Sequence, residues 1–267
     1  MTREATDNGI LVEGLVKEFP GQRVLDGLDL AVADGEFVCL LGPSGCGKST
    51  LLNILSGLDG DYRGTVRFGG QPMAPGGKPP LTIGYLFQEP RLLPWLTAER
   101  NVDFALENSR VPRARWAAIK DHYFALTGLQ GFRHYYPHQL SGGMAQRLSL
   151  VRALAIEPDV LFMDEPFSGL DELTARRLRV DLLDIWRETG KTILFITHNS
   201  YEATFLGDRV VVLSQGGIRN QITVDVPRPR DYDDAALFQV GKTVSATFLE
   251  AAEAAEQARL AGERRPD

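Results

Sequence analysis

The chain has 267 residues, of which 43% are hydrophobic, and it carries a formal net charge of −6 at neutral pH. This length and composition predict a folded domain with a sizeable core, and the acidic balance argues against nucleic acid as a partner. The first residues are polar and no apolar run approaches the roughly 18 residues of a membrane span, so neither a signal peptide nor a spanning helix is expected. Two cysteines, Cys39 and Cys46, are too few for a disulfide framework, which predicts reduced thiols in a cytoplasm.

The first third of the sequence predicts a β-rich lobe followed by a strand, a loop and a helix. ILVEGLVKEF and VLDGLDLAVADGEF place apolar residues between glycine and aspartate breakers, as antiparallel strands do. EFVCLLG, residues 36–42, is a short apolar run that ends in glycine, and leucines recur at helical spacing in the segment after it. The proline- and glycine-rich stretch 71–80 is expected to be a loop.

The rest of the sequence predicts a helical insert and then a mostly parallel sheet. Residues from about Pro90 to Pro137 have a helical pattern, and apolar strands are predicted at 159–164, 192–197 and 209–214 with amphipathic helical segments between them. The Ala- and Glu-rich segment after Pro229 predicts a helix followed by a disordered end. We therefore predict one main domain over residues 1–230, a helical subdomain inserted at about 90–158, and a C-terminal tail over 231–267.

GPSGCGKST matches the phosphate-binding pattern GxxxxGK[ST] and lies between a predicted strand and a predicted helix. Its glycines let backbone N–H groups surround phosphate oxygens, while the ammonium of Lys48 binds the β- and γ-phosphates and the hydroxyl of Ser49 reaches Mg²⁺. A glycine-rich turn without a ligand is the alternative, and the strand and helix on either side disfavour it. Triphosphate binding is therefore predicted for Gly42, Pro43, Ser44, Gly45, Cys46, Gly47, Lys48, Ser49 and Thr50.

Polar residues that follow predicted strands supply the expected chemistry. VLFMDEP brings Asp164 and Glu165 to the C-terminal end of a strand, where open α/β sheets bind ligands, so Asp164 is expected to hold Mg²⁺ and Glu165 to polarise the attacking water. His198 follows a second buried strand, and there a γ-phosphate contact, or a role in positioning Glu165 and the attacking water, is favoured over a satisfied core histidine. Gln88 has an amide that reaches Mg²⁺ or the water in one interpretation and is a polar loop residue in the other.

LSGGMAQR, residues 140–147, is a second glycine-rich helix start, and it has no lysine. This segment resembles the signature motif of ATP-binding cassette (ABC) ATPases. The phosphate loop, Gln88, the acidic strand, the segment SGLD (residues 168–171) and His198 also follow in the order of that family, so the resemblance covers roughly residues 10–220. The resemblance implies an α/β P-loop NTPase core with an antiparallel β lobe and an inserted helical subdomain, and ATP hydrolysis with Mg²⁺. It also implies that Ser141, Gly142 and Gly143 close over the γ-phosphate held by a second copy of the chain, with Ser141 serving as a helix cap as well.

The same resemblance assigns roles to other positions. Phe19, in KEFPG, corresponds to an aromatic residue that stacks on adenine, and its alternative role is packing within the β lobe. Asp171, in SGLD, lies near the phosphate loop of the facing subunit. The residue after the histidine is usually Asp in importer ATPases and is Asn199 here, so an accessory charge at that position is in doubt.

YLFQEPRLLPWLTAERNV resembles the ATPase subunits of nitrate, sulfonate and taurine importers, which also serve thiamine-precursor solutes. The resemblance implies a peripheral protein on the cytoplasmic face of the inner membrane that pairs with a second copy, binds separate membrane permease subunits, and acts indirectly with a solute-binding protein. Leu92, Leu93, Pro94 and Trp95 either line the groove for the permease or belong to the core of the insert. The alternative function, a non-transport ABC ATPase acting on nucleic acid or the ribosome, is disfavoured because the chain has a single cassette and no coiled-coil heptads.

Overall fold

The structure is a computed structural model that describes residues 9–263, and the chain forms two compact units. The first unit contains the chain up to Pro80 and again from Thr192, and the second unit is Leu81–Lys191. The strands are β1 (Ile10–Phe19), β2 (Gln22–Val32), β3 (Phe37–Leu41), β4 (Arg63–Phe68), β5 (Gln71–Met73), β6 (Ile83–Leu86), β7 (Val160–Asp164), β8 (Thr192–Thr197), β9 (Arg209–Ser214) and β10 (Gly217–Thr223). The α-helices are α1 (Lys48–Leu55), α2 (Ala98–Glu107), α3 (Trp116–Leu126), α4 (Gly142–Ala155), α5 (Glu172–Thr189), α6 (Ser200–Leu206) and α7 (Ala235–Glu263).

An antiparallel sheet in the first unit has the strand order β2-β1-β4-β5. β1 and β2 form a hairpin whose turn contains Gly21 at φ +80°, a backbone conformation that favours glycine. Buried and exposed residues alternate along much of β2, and Leu28 and Leu30 are fully buried. This sheet is the antiparallel β lobe that the sequence predicts.

A second group of strands in the first unit surrounds β3, whose five residues are all buried. β3 pairs in parallel with both β8 and β9, and Leu41 is in register with Thr197 and Val212. Because parallel strands in this register end at the same edge of the sheet, the residues that follow β3 and β8 begin at one level. The last helix, α7, packs against α6 and β9, where the hydroxyl of Ser214 donates to the carbonyl of Ala251 over 3.0 Å.

The second unit is a helical group around one pair of parallel strands. β6 and β7 pair with Ile83 opposite Val160, and α4 packs against α2, α3, α5 and β6. Its core includes Phe124, Leu148 and Phe162, which are fully buried. Short 3-10 helices occur at Arg113–Arg115, Gln130–Phe132 and Pro137–Gln139.

Most elements predicted from the sequence are present, and one loop prediction is wrong in part. Residues 71–80 were expected to be a loop, but Gln71–Met73 form β5 because Met73 pairs with Val66 of β4. The helix predicted in the tail is α7, and most of the predicted disordered end, residues 264–267, lies outside the described residues. The domain division at residue 230 stays a prediction. Within residues 9–263, none of the helices has the length and apolar character needed to span a bilayer.

Candidate functional site

The predicted phosphate loop connects β3 to α1 in the first unit. The ammonium of Lys48 is buried within the loop and donates to the carbonyls of Gly42, at 2.7 Å, and Pro43, at 2.9 Å. Ser44 and Ser49 are exposed, while Cys46 is buried with its Sγ 3.8 Å from the Lys48 ammonium. Burial raises the pKa of the Cys46 thiol, and the nearby Lys48 charge opposes that shift, so this cysteine stays protonated at neutral pH.

Two glycines of this loop have no room for a side chain. A Cβ at Gly47 would lie 2.6 Å from Leu25 Cδ2, and φ is +102° at this position, where other residues are strained. A Cβ at Gly42 would lie 2.6 Å from the carbonyl oxygen of Leu213. The close approach of β2 and β9 to the loop therefore explains why the pattern requires glycine at these points.

His198 follows β8 and is exposed at the sheet edge where Gly42 begins the phosphate loop. The next residue, Asn199, caps α6, because its side-chain oxygen accepts from the backbone N–H groups of Tyr201 and Glu202 at 3.0 and 3.1 Å. The Thr197 hydroxyl donates to the Glu202 carboxylate and accepts from the Asn199 N–H at 3.0 Å. Asn199 thus has a structural role that needs no charge, and these bonds fix the backbone on both sides of His198.

Phe19 is the last residue of β1 and is 45% exposed. Packing within the β lobe, the alternative role, would bury this ring far more completely. The ring lies in the first unit together with the phosphate loop and His198. Lys17, which the sequence prediction missed, has its ammonium 4.8 Å from the centroid of this ring.

In the second unit, Asp164 ends β7 and Glu165 begins the turn that follows it. Glu165 has φ +45°, a left-handed conformation that is uncommon for a residue with a side chain, and its carbonyl accepts from the Ser168 N–H at 3.1 Å. The amide of Gln88 donates to the Ser168 hydroxyl over 2.9 Å. A hydrogen bond therefore links the glutamine segment, residues 87–91, to the loop that starts at the two carboxylates.

Helix α4 holds the backbone of the glutamine segment in place. Arg152 donates to the carbonyls of Arg91, at 2.7 Å, and Pro90, at 2.9 Å. The Arg91 guanidinium lies 3.9 Å from the ring centroid of Phe87, which precedes Gln88. The sequence prediction also missed Arg152, although an arginine in the last turn of a largely buried helix was an available signal.

The signature segment and SGLD pack against each other within the second unit. Ser141 caps α4 by accepting from the Met144 N–H at 3.3 Å, and Asp171 caps α5 by accepting from the Thr174 N–H at 3.0 Å. Hydrogen bonds from Thr174 lower the pKa of Asp171, so its carboxylate is charged at neutral pH. A cavity of about 460 Å³ opens beside both helix starts and is lined by Ser141, Gly143, Met144, Arg147, Leu173, Thr174 and Arg177.

A mostly apolar groove lies on the predicted helical insert. Its volume is about 370 Å³, and its walls are Leu93, Trp95, Leu96, Arg100, Asp103, Phe104 and Glu107. Trp95 is 70% exposed and Phe104 is 49% exposed, so neither belongs to the core of the insert. Asn101, fully buried, shapes the groove by bonding the backbone of Leu93 and Leu96. Of the four residues expected to line a docking groove or belong to the core, Leu93 and Trp95 line this groove, and its use for docking stays a prediction.

The predicted site residues therefore fall into two sets. Phe19, residues 42–50 and His198 belong to the first unit, and the others belong to the second unit. Those in the second unit are Gln88, Ser141, Gly142, Gly143, Asp164, Glu165 and Asp171. Among the described residues there is no group of three or more His, Cys, Asp or Glu side chains arranged to hold a metal ion.

Residues 25–168 match the family described as ABC transporter, which is more than half of the chain. The chain belongs to this family. It is 42% identical over 239 residues, 87% of the chain and 88% of the relative, to an uncharacterized ABC transporter ATP-binding protein of Methanocaldococcus jannaschii. It is 44% identical over 223 residues, 83% of the chain and 80% of the relative, to the aliphatic sulfonates import ATP-binding protein SsuB 2 of Burkholderia cenocepacia.

The fold agrees with this family. The chain superimposes with a TM-score of 0.71 on the ATP-binding cassette MJ0796, solved as a dimer in a post-hydrolysis state with ADP and Pi. The identity is 28%, and the match covers 82% of this chain and all of the cassette. The predicted P-loop fold is confirmed, and the chain is the ATP-binding subunit of an ABC system and an ATPase.

Proposed function

We propose that this ABC ATPase powers an importer that takes up a small organic or inorganic solute through separate membrane permease subunits. The observation that carries this proposal is the 44% identity, over most of both chains, to a protein named for aliphatic sulfonate import. Sulfonate is therefore the solute class we favour among the nitrate, sulfonate, taurine and thiamine-precursor types. The working location is the cytoplasmic face of the membrane, where the chain is peripheral and acts indirectly with a solute-binding protein.

The first unit supplies the groups for holding the nucleotide. Phe19 stacks on the adenine, and Lys48 leaves the carbonyls of its own loop to bind the β- and γ-phosphates, which carry more charge. The exposed hydroxyl of Ser49 is available as a ligand for Mg²⁺. The donors we assign to Mg²⁺ are the Ser49 hydroxyl and, from the second unit, the Gln88 amide oxygen and the Asp164 carboxylate; all three are oxygen ligands of the kind that the ion prefers.

Hydrolysis requires a polarised water and a charge-stabilised transition state. When bound, Mg²⁺ neutralises charge on the phosphates. Glu165 accepts hydrogen bonding from the attacking water and polarises it, while His198 contacts the γ-phosphate. Gln88 helps to hold the water or the ion, and its bond to Ser168 couples its position to the loop that carries Glu165.

A second copy of the chain completes the site. The start of α4 presents backbone N–H groups and a helix dipole without any lysine, as suits an anion already held by another phosphate loop. The cavity beside Ser141 and Gly143 is open to such an anion, and Arg177 adds positive charge to its wall, while Arg147 pairs with Asp181 at 3.2 Å. The dimeric assembly of the MJ0796 cassette supports this arrangement. ATP then favours the closed pair, and hydrolysis releases it.

The apolar groove lined by Leu93, Trp95 and Phe104 is the proposed docking site for the permease. Large aromatic residues that remain exposed beside an apolar groove are typical of partner surfaces. The test is co-purification of the permease with tagged Trp95→Ala protein, compared with Tyr135→Ala, another exposed aromatic of the second unit that lies outside the groove. We expect Trp95→Ala to lose permease while keeping ATP binding, and Tyr135→Ala to keep both. Recovery of ribosomes or nucleic acid in place of a permease would favour the alternative class.

A further inference from the structure

Lys17 is a buried cation in a lobe whose proposed task is to present an aromatic ring. It lies on β1, two residues before Phe19, and its side chain is only 4% exposed. Lysine is rarely buried to this degree unless its ammonium is fully bonded. The proposed phosphate chemistry makes no use of Lys17.

Three oxygen atoms surround the Lys17 ammonium. They are Asp59 Oδ1 at 2.8 Å, the Asp61 carbonyl at 2.6 Å and Asp61 Oδ2 at 3.4 Å. An ammonium has three N–H donors, so this set can satisfy all of them. Burial alone would lower the pKa of Lys17, but the hydrogen bond and charge of Asp59 outweigh it and the pKa is raised. The residue is therefore held in place and charged at neutral pH.

The same ammonium lies over one face of the Phe19 ring, 4.8 Å from its centroid. A cation at this distance is attracted to the negative face of the ring, and a fixed cation restricts the orientations that the ring adopts. Phe19 nevertheless remains 45% exposed, so a large part of the ring surface is available to a ligand. The anchor itself comes from residues 59–61, which connect α1, the helix that begins at the phosphate loop, to β4.

We propose that Lys17 is a positioning residue for the nucleotide base: held by Asp59 and Asp61, it fixes the Phe19 ring in the orientation that stacks on adenine. This inference rests on the proposed role of Phe19. It predicts that Lys17 contributes to binding only when the ligand carries a base, because an ordered ring lowers the entropy lost on stacking. A triphosphate without a base gains nothing from Lys17.

The test is calorimetric measurement of the Kd for ATP and for inorganic triphosphate on the full chain. Lys17→Met is expected to raise the Kd for ATP on the order of three-fold, the factor that corresponds to a cation–π contact at a partly exposed site. The Kd for inorganic triphosphate should not change. Lys17→Arg keeps a cation beside the ring and should recover most of the ATP affinity. Arg67→Met removes an exposed cation from the same sheet, one that pairs with Glu13 at 3.8 Å, and should change neither Kd.

The outcomes separate this inference from the proposed role of Phe19. An equal loss for ATP and inorganic triphosphate in Lys17→Met would mean that the residue only stabilises the fold, and an unchanged ATP Kd would overturn the inference as well. If Phe19→Ala weakens ATP binding without changing the Kd for inorganic triphosphate, while Lys17→Met changes neither Kd, the role of the ring stands and the role of Lys17 is excluded. Phe19→Ala without effect would instead remove the proposed role of the ring. If Lys17→Met does not fold, Asp59→Asn, which loosens the anchor, must show the same selective loss of ATP affinity.

Discussion

Gly143 is the position in the signature segment where packing leaves no room for a side chain. A Cβ there would lie 2.6 Å from Thr174 Cγ2, whereas a Cβ at the neighbouring Gly142 would lie 3.6 Å from Leu170 Cδ2, an ordinary contact. Both glycines are in the first turn of α4, where alanine is favoured over glycine by up to about 1 kcal/mol. Gly142→Ala is therefore expected to leave the unfolding free energy unchanged or slightly higher.

Gly143→Ala combines the same gain with overpacking, which costs about 1–3 kcal/mol when a neighbour has to move. We expect it to be about 1–3 kcal/mol less stable than Gly142→Ala, a difference in Tm on the order of 2–10 °C for a chain of this size. Thermal unfolding of the nucleotide-free protein, followed by circular dichroism, measures the difference.

A second substitution tests the cause. Thr174→Ser removes the methyl group that Gly143→Ala would strike, and it keeps the backbone N–H that donates to Asp171. The double variant is expected to regain most of the lost stability, which is a coupling between touching residues. Equal Tm values for Gly142→Ala and Gly143→Ala would refute the close packing of the start of α5, at Thr174, against the signature segment.

Three further predictions concern other parts of the chain. Lys48→Ala should weaken ATP at least about ten-fold in calorimetry, because the loop's charged phosphate ligand is lost; wild-type affinity would exclude the assigned role. Arg230→Met should lower the unfolding free energy in urea by about 3 kcal/mol or more, and Arg219→Met, exposed and 3.8 Å from Glu250, by far less. The reason is that the buried Arg230 guanidinium, with its pKa lowered by burial to about 10, donates to the carbonyls of Thr204, Phe205, Gly207, Val224 and Val226. Hydrogen bonding from Lys120 lowers the pKa of Glu99 in the folded protein, so the ionised Glu99 stabilises the fold fully above its unfolded-state pKa, and this stabilisation is lost as pH falls through the folded-state pKa. In Glu99→Gln, the unfolding free energy should therefore fall less steeply with decreasing pH on the acid side.

The sequence predicted the elements with strong periodicity and missed those with weak patterns. β3, β7 and β8 were predictable because each is a short, mostly apolar run after a turn. β6 has only four residues, too few for a clear pattern. One of them is Gly84, where an added Cβ would lie 2.7 Å from Leu161 Cδ2, so the need for glycine there comes from the neighbouring strand and not from the local sequence. β4 and β10 carry polar residues on exposed positions, and α6 is only seven residues long.

The candidate site divides in the same way. Motif spacing predicted the phosphate loop, the acidic strand end and the signature segment, since these depend on residue types close together in sequence. Supporting residues such as Lys17 and Arg152 act across 42 and 61 positions of sequence, and a single sequence gives no sign of which backbone they meet. The position of the Gln88 amide on Ser168, 80 residues away, was equally inaccessible.

We propose that each ATP is held between the phosphate loop of one copy and the signature segment of another. The most direct measurement is size-exclusion chromatography with light scattering of Glu165→Gln, which should bind ATP without hydrolysing it and so accumulate as a dimer. Adding Ser141→Arg, which fills the start of α4 with a bulky cation, should return the protein to a monomer that still binds ATP. A Glu165→Gln, Ser141→Arg protein that dimerises with ATP as fully as Glu165→Gln alone would show that Ser141 is only a helix cap.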